Sequence, residues 1–153
     1  MISAMFNTIT GKKLTLLGFA FKKDTGDVRE TAAAYVAKYL LDERATLTVY
    51  DPKVSEEEMF HELDYTCNMT EATLPGLKKL ITISNTDVYA CAKDSHCLAI
   101  MTEWDEFKTL DYERLYDTMM KPAFIFDGRN ILDHAKLRKI GFEVHAIGKV
   151  FEA

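Results

Sequence analysis

Short apolar segments alternate along the chain with longer segments that repeat their apolar residues every three or four positions. The segment Thr46–Tyr50 (TLTVY) is rich in β-branched and aromatic residues and is stopped by Asp51-Pro52, which is typical of a buried strand. The segment 29–44 instead places tyrosine, valine and leucine at helical spacing with alanines between them, which predicts an amphipathic helix. Strand patterns and helix patterns therefore take turns along the chain.

This alternation predicts βαβ units and hence a mostly parallel sheet. The predicted strands are 13–18, Thr46–Tyr50, 80–84, 97–102, 122–127 and 142–147. The predicted helices are 29–44, 55–63, 87–93, Asp105–Lys108, 111–120 and His134–Ile140, whereas the segment 65–76 has no clear pattern. We therefore predict an α/β fold, in which a doubly wound, mostly parallel six-stranded sheet carries helices on both faces.

The composition is that of an ordinary globular chain of about one domain. The 153 residues are 48% hydrophobic and 28% charged, and their net charge of −5 argues against nucleic acid as a partner. No apolar run is long enough to cross a membrane, and the first residues do not resemble a secretory signal. The three cysteines lack C-x-x-C spacing, so we expect a reduced, cytoplasmic protein with neither a disulfide framework nor a zinc site.

Ligands of open parallel sheets bind outside the carboxyl ends of the strands, so the segments that follow the strands form the candidate site. Lys22 and Arg29 follow the first predicted strand, and Arg129 follows the fifth. The only tryptophan, Trp104, follows the fourth. These positions predict a locally positive edge that suits a small anionic ligand, although the whole chain is acidic.

Arg29 has both a structural and a functional interpretation. It lies at or near the predicted start of a helix, where the helix dipole disfavours a cation. Either an acidic neighbour (Asp24, Asp27 or Glu30) neutralises it, or it holds an anion together with the amides of the helix. The spacing alone leaves both interpretations open.

Four other residues near strand ends also have both a structural and a functional interpretation. Lys22 is either solvated or a phosphate ligand, and Arg129 either lies in a surface turn or contacts a ligand that the preceding glycine allows to approach. Asp51 stands where dinucleotide-binding folds place a ribose-binding acid, but no G-x-G-x-x-G motif is present, which favours a turn-forming Asp-Pro. Glu103 is either an acid–base group or, as the spacing favours, a solvated side chain.

The histidines and cysteines predict neither a metal site nor a catalytic nucleophile. None of the four histidines has metal-ligand spacing. His96 adjoins Cys97, but neighbours in a strand point to opposite faces, so this pair makes a poor base and nucleophile.

Five blocks of sequence form a recognisable set: LLGFAFKKDTGDVRE at 16–30, VYDPKV at 49–54, TEWDEF at 102–107, LDYER at 110–114 and KPAFIFDGRN at 121–130. Together, and in this order, they resemble the UDP-binding domain of the UDP-glucose/GDP-mannose dehydrogenase family. The resemblance runs from about Phe6 onward, and the chain departs from the family pattern around 60–77. The DTGD and TEW segments are more similar to the UDP-glucose 6-dehydrogenases than to the GDP-mannose enzymes.

The resemblance implies two Rossmann-like domains joined by a long helix, with NAD on the N-terminal domain and the UDP-sugar between the two. Residues 1–10 would be the end of the interdomain helix, and residues 11–153 the UDP-sugar-binding C-terminal domain. The implied reaction oxidises UDP-glucose to UDP-glucuronate in two steps, through a thioester on a cysteine. The cysteines of this chain do not match that motif, so the resemblance implies no catalytic residue here and a chain inactive by itself.

The resemblance also assigns roles to four residues. Phe21 and Lys22 match a pair that contacts the UDP-sugar, Arg129 matches an arginine that holds the substrate, and Arg29 matches an arginine that reaches NAD across the domain interface. The implied partners are UDP-glucose, the N-terminal NAD domain of the same chain and further copies in a homo-oligomer. Two alternatives remain open: a stand-alone nucleotide-sugar-binding or assembly module, and a dehydrogenase of another nucleotide-sugar.

Overall fold

The computed structural model describes residues 1–150, and its six strands form one sheet. The strands are β1 (Lys13–Leu17), β2 (Thr46–Tyr50), β3 (Ile81–Ser84), β4 (Cys97–Ile100), β5 (Phe124–Asp127) and β6 (Glu143–Ala146). Their order is β3-β2-β1-β4-β5-β6, and every pairing is parallel. The predicted doubly wound, six-stranded sheet is confirmed, and it is parallel throughout rather than mostly parallel.

The helices lie in two groups that cover the two faces of the sheet. They are α1 (Ala32–Asp42), α2 (Glu56–Cys67), α3 (Leu77–Leu80), α4 (Val88–Ala92), α5 (Tyr112–Thr118) and α6 (His134–Ile140), with a 3-10 helix over Asp105–Lys108. Helices α1 and α2 pack on each other, while α5 packs on both α4 and α6. Right-handed crossovers in this strand order place the two groups on opposite faces.

Local sequence explains where the longer helices begin. In α2, the Ser55 hydroxyl accepts the N–H of Glu58 while the Glu58 carboxylate accepts the N–H of Ser55, a capping box. Helix α1 begins at Ala32, after the N-cap Thr31, and not at Arg29 as predicted. Glu30 has a φ of +49°, which no residue inside a helix adopts, so Arg29 lies in the preceding loop.

The middle of the sheet is the core of the molecule. Strand β1 lies between β2 and β4, and its Leu14 and Leu16 are fully buried, as are Leu47 and Leu98 on the neighbouring strands. Helices cover both faces of these strands, which explains why their sequences are apolar almost throughout. The rigid core fixes the carboxyl ends of β1, β2 and β4, from which the candidate loops start.

Residues 1–10 form turns and contain no helix in the described structure. The N–H of Met5 donates to the carbonyl of Met1, and the N–H of Asn7 donates to the carbonyl of Ile2. Phe6 and Asn7 have φ values of +64° and +59°. A bond that spans six residues next to left-handed backbone is the pattern that closes a helix, but the assignment of 1–10 to an interdomain helix stays a prediction.

Within residues 1–150, no helix combines the length and the apolar character needed to cross a membrane. No group of three or more histidine, cysteine or acidic side chains is arranged to hold a metal ion in the same part of the chain.

Candidate functional site

Loops that follow β1, β4 and β5 meet at the carboxyl edge of the sheet. Strand β1 pairs with both β2 and β4, and the chain order reverses between β1 and β4. Such a reversal leaves a crevice above the strand ends, because the two neighbouring loops turn away in opposite directions. The predicted site residues lie on the loops around this crevice.

The loop after β1 is anchored on the end of β4. Gly18 has a φ of +95° and donates its N–H to the carbonyl of Tyr50 over 2.7 Å. A Cβ at Gly18 would lie 2.4 Å from the Cβ of Thr102, so only glycine allows the two strand ends to come this close. The Thr102 hydroxyl donates to the carbonyl of Ala20 over 2.8 Å and holds the loop from the other side.

Asp51, at the end of β2, is fully buried and accepts five hydrogen bonds. Its Oδ1 accepts the N–H groups of Lys53 and Val54 over 2.9 and 3.2 Å, which confirms the predicted Asp-Pro turn. Its Oδ2 accepts the N–H groups of Phe19 and Ala20 and the indole N–H of Trp104, over 2.8, 3.0 and 3.1 Å. The sequence did not reveal this second set of donors, because they come from distant segments of the chain.

Glu103 connects the loop after β1 to the loop after β5. Its Oε1 accepts the N–H of Lys23 over 3.0 Å, and its Oε2 forms an ion pair with the guanidinium of Arg129. The side chain of Glu103 is only 24% exposed. The favoured interpretation of Glu103 as a solvated side chain was therefore wrong, since its partners lie far away in sequence.

The environment of Glu103 favours the ionised carboxylate. Partial burial by itself raises the pKa of Glu103. The N–H of Lys23, the N–H of Glu103 itself and the positive charge of Arg129 lower the pKa by more than burial raises it, so the net pKa lies below its ordinary value. A carboxyl whose pKa is lowered by folding stabilises the protein above its unfolded-state pKa. That contribution disappears as the pH falls through the folded-state pKa.

We therefore expect Glu103→Gln to lower the melting temperature at neutral pH and to have a smaller effect in acid. As the pH falls well below 4.5, the ordinary pKa, protonation removes the ion pair from the wild-type chain too. Thermal unfolding of both chains across this range measures the difference. The variant Lys23→Ala is the control, because it keeps the backbone N–H that Glu103 accepts. A melting-temperature difference that grows in acid would contradict the assignment.

Arg129 is held by the loop that starts at the end of β5. Asp127 accepts the N–H of Arg129 over 3.2 Å and the N–H of Leu132 over 3.0 Å, and it pairs with the buried His134 at 2.7 Å. At Gly128, a Cβ would lie 2.7 Å from the carbonyl of Ile100, so glycine lets this loop approach the end of β4. The backbone that carries the Arg129 side chain is thus held in place.

Phe21 and Arg29 line one cleft of about 750 Å³ between the loop after β1 and helix α2. The N–H of Phe21 donates to the carbonyl of Asp27 over 2.7 Å, while Phe21 as a residue is 56% exposed. The side chain of Arg29 is 86% exposed, and its guanidinium pairs with Asp27 at 2.8 Å, one of the three neighbours expected from the sequence. His61 and Tyr65 of α2 form the opposite wall of the cleft.

The four predicted site residues do not line one common cavity. Lys22 is exposed beside Asp27. The hydrogen bonds that the side chain and backbone of Arg29 donate, together with the positive charges of Arg29 and Lys22, lower the pKa of Asp27 to about 2. Arg129 does not line the cleft of Phe21 and Arg29, and it reaches the loop after β1 through Glu103. The structure therefore brings the segments of Lys22 and Arg129 together by one carboxylate bridge.

A second cavity of about 330 Å³ lies over the ends of β4, β5 and β6. Its lining is mainly apolar, with Met101, Phe126 and Ile147 among its side chains. An apolar cavity does not compensate the charge of a phosphate, so the cationic loops next to it are the better candidate for an anionic ligand.

The cysteines are poorly suited to covalent chemistry. Cys91 and Cys97 are buried, and Cys67 is partly buried. Burial raises the pKa of all three thiols, that of Cys97 to about 12, so the reactive thiolate is rare at neutral pH. His96 uses its Nδ1 to accept the N–H of Lys13.

We expect N-ethylmaleimide to label Cys67 slowly in the native chain at neutral pH, and to label Cys91 and Cys97 only after unfolding. Mass spectrometry of digests from native and urea-unfolded samples measures this order. Rapid labelling of native Cys97 would contradict its burial.

Comparisons with known proteins agree with the fold and with the resemblance in sequence. Residues 15–134 match the model of the UDP-glucose/GDP-mannose dehydrogenase family, UDP binding domain. The chain is 48% identical over 160 residues to UDP-glucose 6-dehydrogenase 3 of Oryza sativa subsp. japonica and 46% identical over 160 residues to UDP-glucose 6-dehydrogenase 1 of Arabidopsis thaliana. Both alignments cover 100% of this chain and 33% of the relative, so the chain spans about a third of these proteins.

Solved structures show the same architecture. The NDP-N-acetyl-D-galactosaminuronic acid dehydrogenase of Methanosarcina mazei Go1 aligns with a TM-score of 0.74 at 21% identity, over 97% of this chain and 27% of its own. A UDP-glucose dehydrogenase of Pyrobaculum islandicum aligns with a TM-score of 0.62 at 24% identity, over 93% of this chain and 28% of its own. At these identities the likeness supports the fold alone.

Proposed function

Because the chain belongs to the UDP-glucose/GDP-mannose dehydrogenase family and matches its UDP binding domain, we propose that it binds the UDP-sugar of a UDP-glucose 6-dehydrogenase. The whole protein would oxidise UDP-glucose to UDP-glucuronate, with NAD as the hydride acceptor. This chain would supply the UDP-binding wall of the active site. The thiols described above are unsuited to the covalent step, which we assign to the rest of the longer protein.

The observation that carries the proposal is the bridge from Arg129 through Glu103 to the backbone of Lys23. A guanidinium has five N–H donors, so a single carboxylate partner leaves donors for the oxygens of a diphosphate. Lys22 precedes the bridged residue and is exposed at the same loop. Phe21 adds an exposed ring next to these cations, which suits the apolar faces of a sugar or base.

The described residues do not form a dinucleotide cradle of their own. The loop after β1 lacks the glycine fingerprint of dinucleotide-binding loops. The carboxylate of Asp51, at the end of β2, already accepts five hydrogen bonds from the chain itself. NAD therefore fits this chain only as a ligand held by another part of the longer protein. We propose that Arg29, whose side chain is exposed, reaches that NAD across the interface.

The partners would be UDP-glucose, the N-terminal NAD domain of the same chain and further copies in a homo-oligomer. The three free thiols support a reducing, cytoplasmic location.

Calorimetric titration of the chain with UDP tests the proposal. We expect UDP to bind and UMP to bind more weakly, because UMP lacks the second phosphate. The matched test in the full-length protein is NAD reduction with UDP-glucose, UDP-N-acetylmannosamine and GDP-mannose. Absence of UDP binding by both proteins would contradict the function, and preferred turnover of another sugar would contradict the substrate.

A further inference from the structure

Asp51 has more hydrogen-bond donors around it than a turn requires. Two donors belong to its own turn, whereas the other three come from the β1 loop and from Trp104. A carboxylate offers about four acceptor positions, so five donors leave none for a ligand. The carboxylate is also fully buried, which makes these donors its only solvation among the described residues.

The contact of Asp51 with the amides of Phe19 and Ala20 lies where related sheets bind a dinucleotide. In sheets with this strand order, the amides after β1 bind the pyrophosphate of a dinucleotide and an acid after β2 binds its ribose. Here the amides of Phe19 and Ala20 bind the acid after β2, Asp51, over 2.8 and 3.0 Å. A negative group of the chain itself thus occupies the donors that a ligand phosphate would use.

We propose that Asp51 is a positioning residue, an internal anion that fixes the loop after β1 so that Phe21 and Lys22 face the nucleotide. The inference rests on the proposed UDP-binding function. The same contact leaves neither the amides after β1 nor the acid after β2 available to a second nucleotide.

Hydrogen bonds continue the restraint along the loop. After Phe19 and Ala20, the N–H of Phe21 donates to the carbonyl of Asp27, and the N–H of Lys23 donates to Glu103. The carbonyl of Ala20 accepts the hydroxyl of Thr102. The backbone is therefore fixed while the side chains of Phe21 and Lys22 stay exposed. Ordering this backbone before the ligand arrives removes an entropy cost from binding.

The first test is Asp51→Asn in the 153-residue chain, which places an amide N–H₂ where the donors need an acceptor. We expect hydrogen exchange at the amides of Phe19 and Ala20 to accelerate, and the dissociation constant of UDP to rise about tenfold, as for the loss of a charged hydrogen-bond acceptor. Trp104→Phe is the milder variant, because it removes a single donor and keeps an aromatic ring. It should shift both readouts in the same direction by a smaller factor.

Two controls distinguish the positioning of the loop by Asp51 from a general loss of stability. Thr15→Val removes a buried hydroxyl that bonds to the carbonyl of Cys91 over 2.9 Å, so it perturbs β1 without touching the loop. We expect it to leave UDP affinity unchanged. The variant Asp51→Gly opens space for a small carboxylate, and formate should restore its UDP affinity but not improve that of the wild-type chain.

The outcomes separate this inference from the proposed function. If neither the wild-type chain nor the full-length protein binds UDP, the proposed function fails, and amide exchange at Phe19 and Ala20 then decides whether Asp51 fixes the loop. If Asp51→Asn does not fold, Trp104→Phe decides. Wild-type exchange or wild-type UDP affinity in the deciding variant overturns the positioning role, as does equal loss of affinity in Thr15→Val.

Discussion

Replacing Arg129 by alanine is expected to weaken UDP binding by about 10–100-fold. A guanidinium that donates to phosphate oxygens contributes about 1.5–3 kcal/mol, and each 1.4 kcal/mol is about tenfold in affinity. The structure pairs Arg129 with Glu103, which is mostly shielded from solvent. Loss of the Arg129 guanidinium also leaves the Glu103 carboxylate unpaired next to the phosphates, and the like charges repel each other.

Arg29→Ala is the matched control, because it removes the same group from a different loop of the site. Arg29 is 86% exposed and does not bridge the two loops, so we expect its removal to change UDP affinity less than about twofold in this chain. The variant Arg129→Lys keeps the charge but loses the planar fork, and its affinity should lie between those of wild type and Arg129→Ala. Calorimetry with UDP measures all four proteins. Equal effects of the two alanine variants would remove Arg129 from the site.

Replacing Gly18 by alanine is expected to lower the free energy of unfolding by about 2–5 kcal/mol. The φ of +95° is unfavourable for a residue with a Cβ, at a cost of about 1–2 kcal/mol. The added carbon would also lie 2.4 Å from the Cβ of Thr102, and such overpacking costs about 1–3 kcal/mol more. The loop that carries Phe21 and Lys22 starts here, so UDP affinity should fall as well.

Gly76→Ala separates strain from overpacking. Gly76 has a similar φ of +83°, but a Cβ there would meet no atom within 4 Å. We expect this variant to lose only the conformational part, about 1–2 kcal/mol. Urea unfolding of the two variants measures the difference. Equal losses of stability would show that Thr102 moves aside without cost.

Contacts between neighbours in sequence were predictable at the site, whereas contacts between distant residues were not. Arg29 pairs with Asp27 because the two lie two residues apart, and a local list of acidic neighbours already contained this partner. Glu103 was misread because its partners, Lys23 and Arg129, lie 80 and 26 positions away. No local pattern signals such a bridge, since its geometry depends on which strands are neighbours.

Element boundaries differ from the predictions for similar reasons. The helix predicted from 29 begins at Ala32, because the hydroxyl of Thr31 caps it and Glu30 turns with positive φ. Helix α3 lies between the unclear segment 65–76 and the end of the strand predicted at 80–84, and it was missed because four residues make barely one turn and show no periodicity.

The α/β fold, the six strands and the family are all readable from the amino-acid sequence, because apolar periodicity and blocks of residue identity are carried by neighbours along the chain. Which strand ends meet depends on how the chain folds, and so do the bridge by which Glu103 joins the loops of Lys22 and Arg129 and the contact of Asp51 with the amides after β1. Hydrogen bonds and ion pairs act over about 3 Å in space, and the parallel crossovers that bring these groups together separate them widely in sequence.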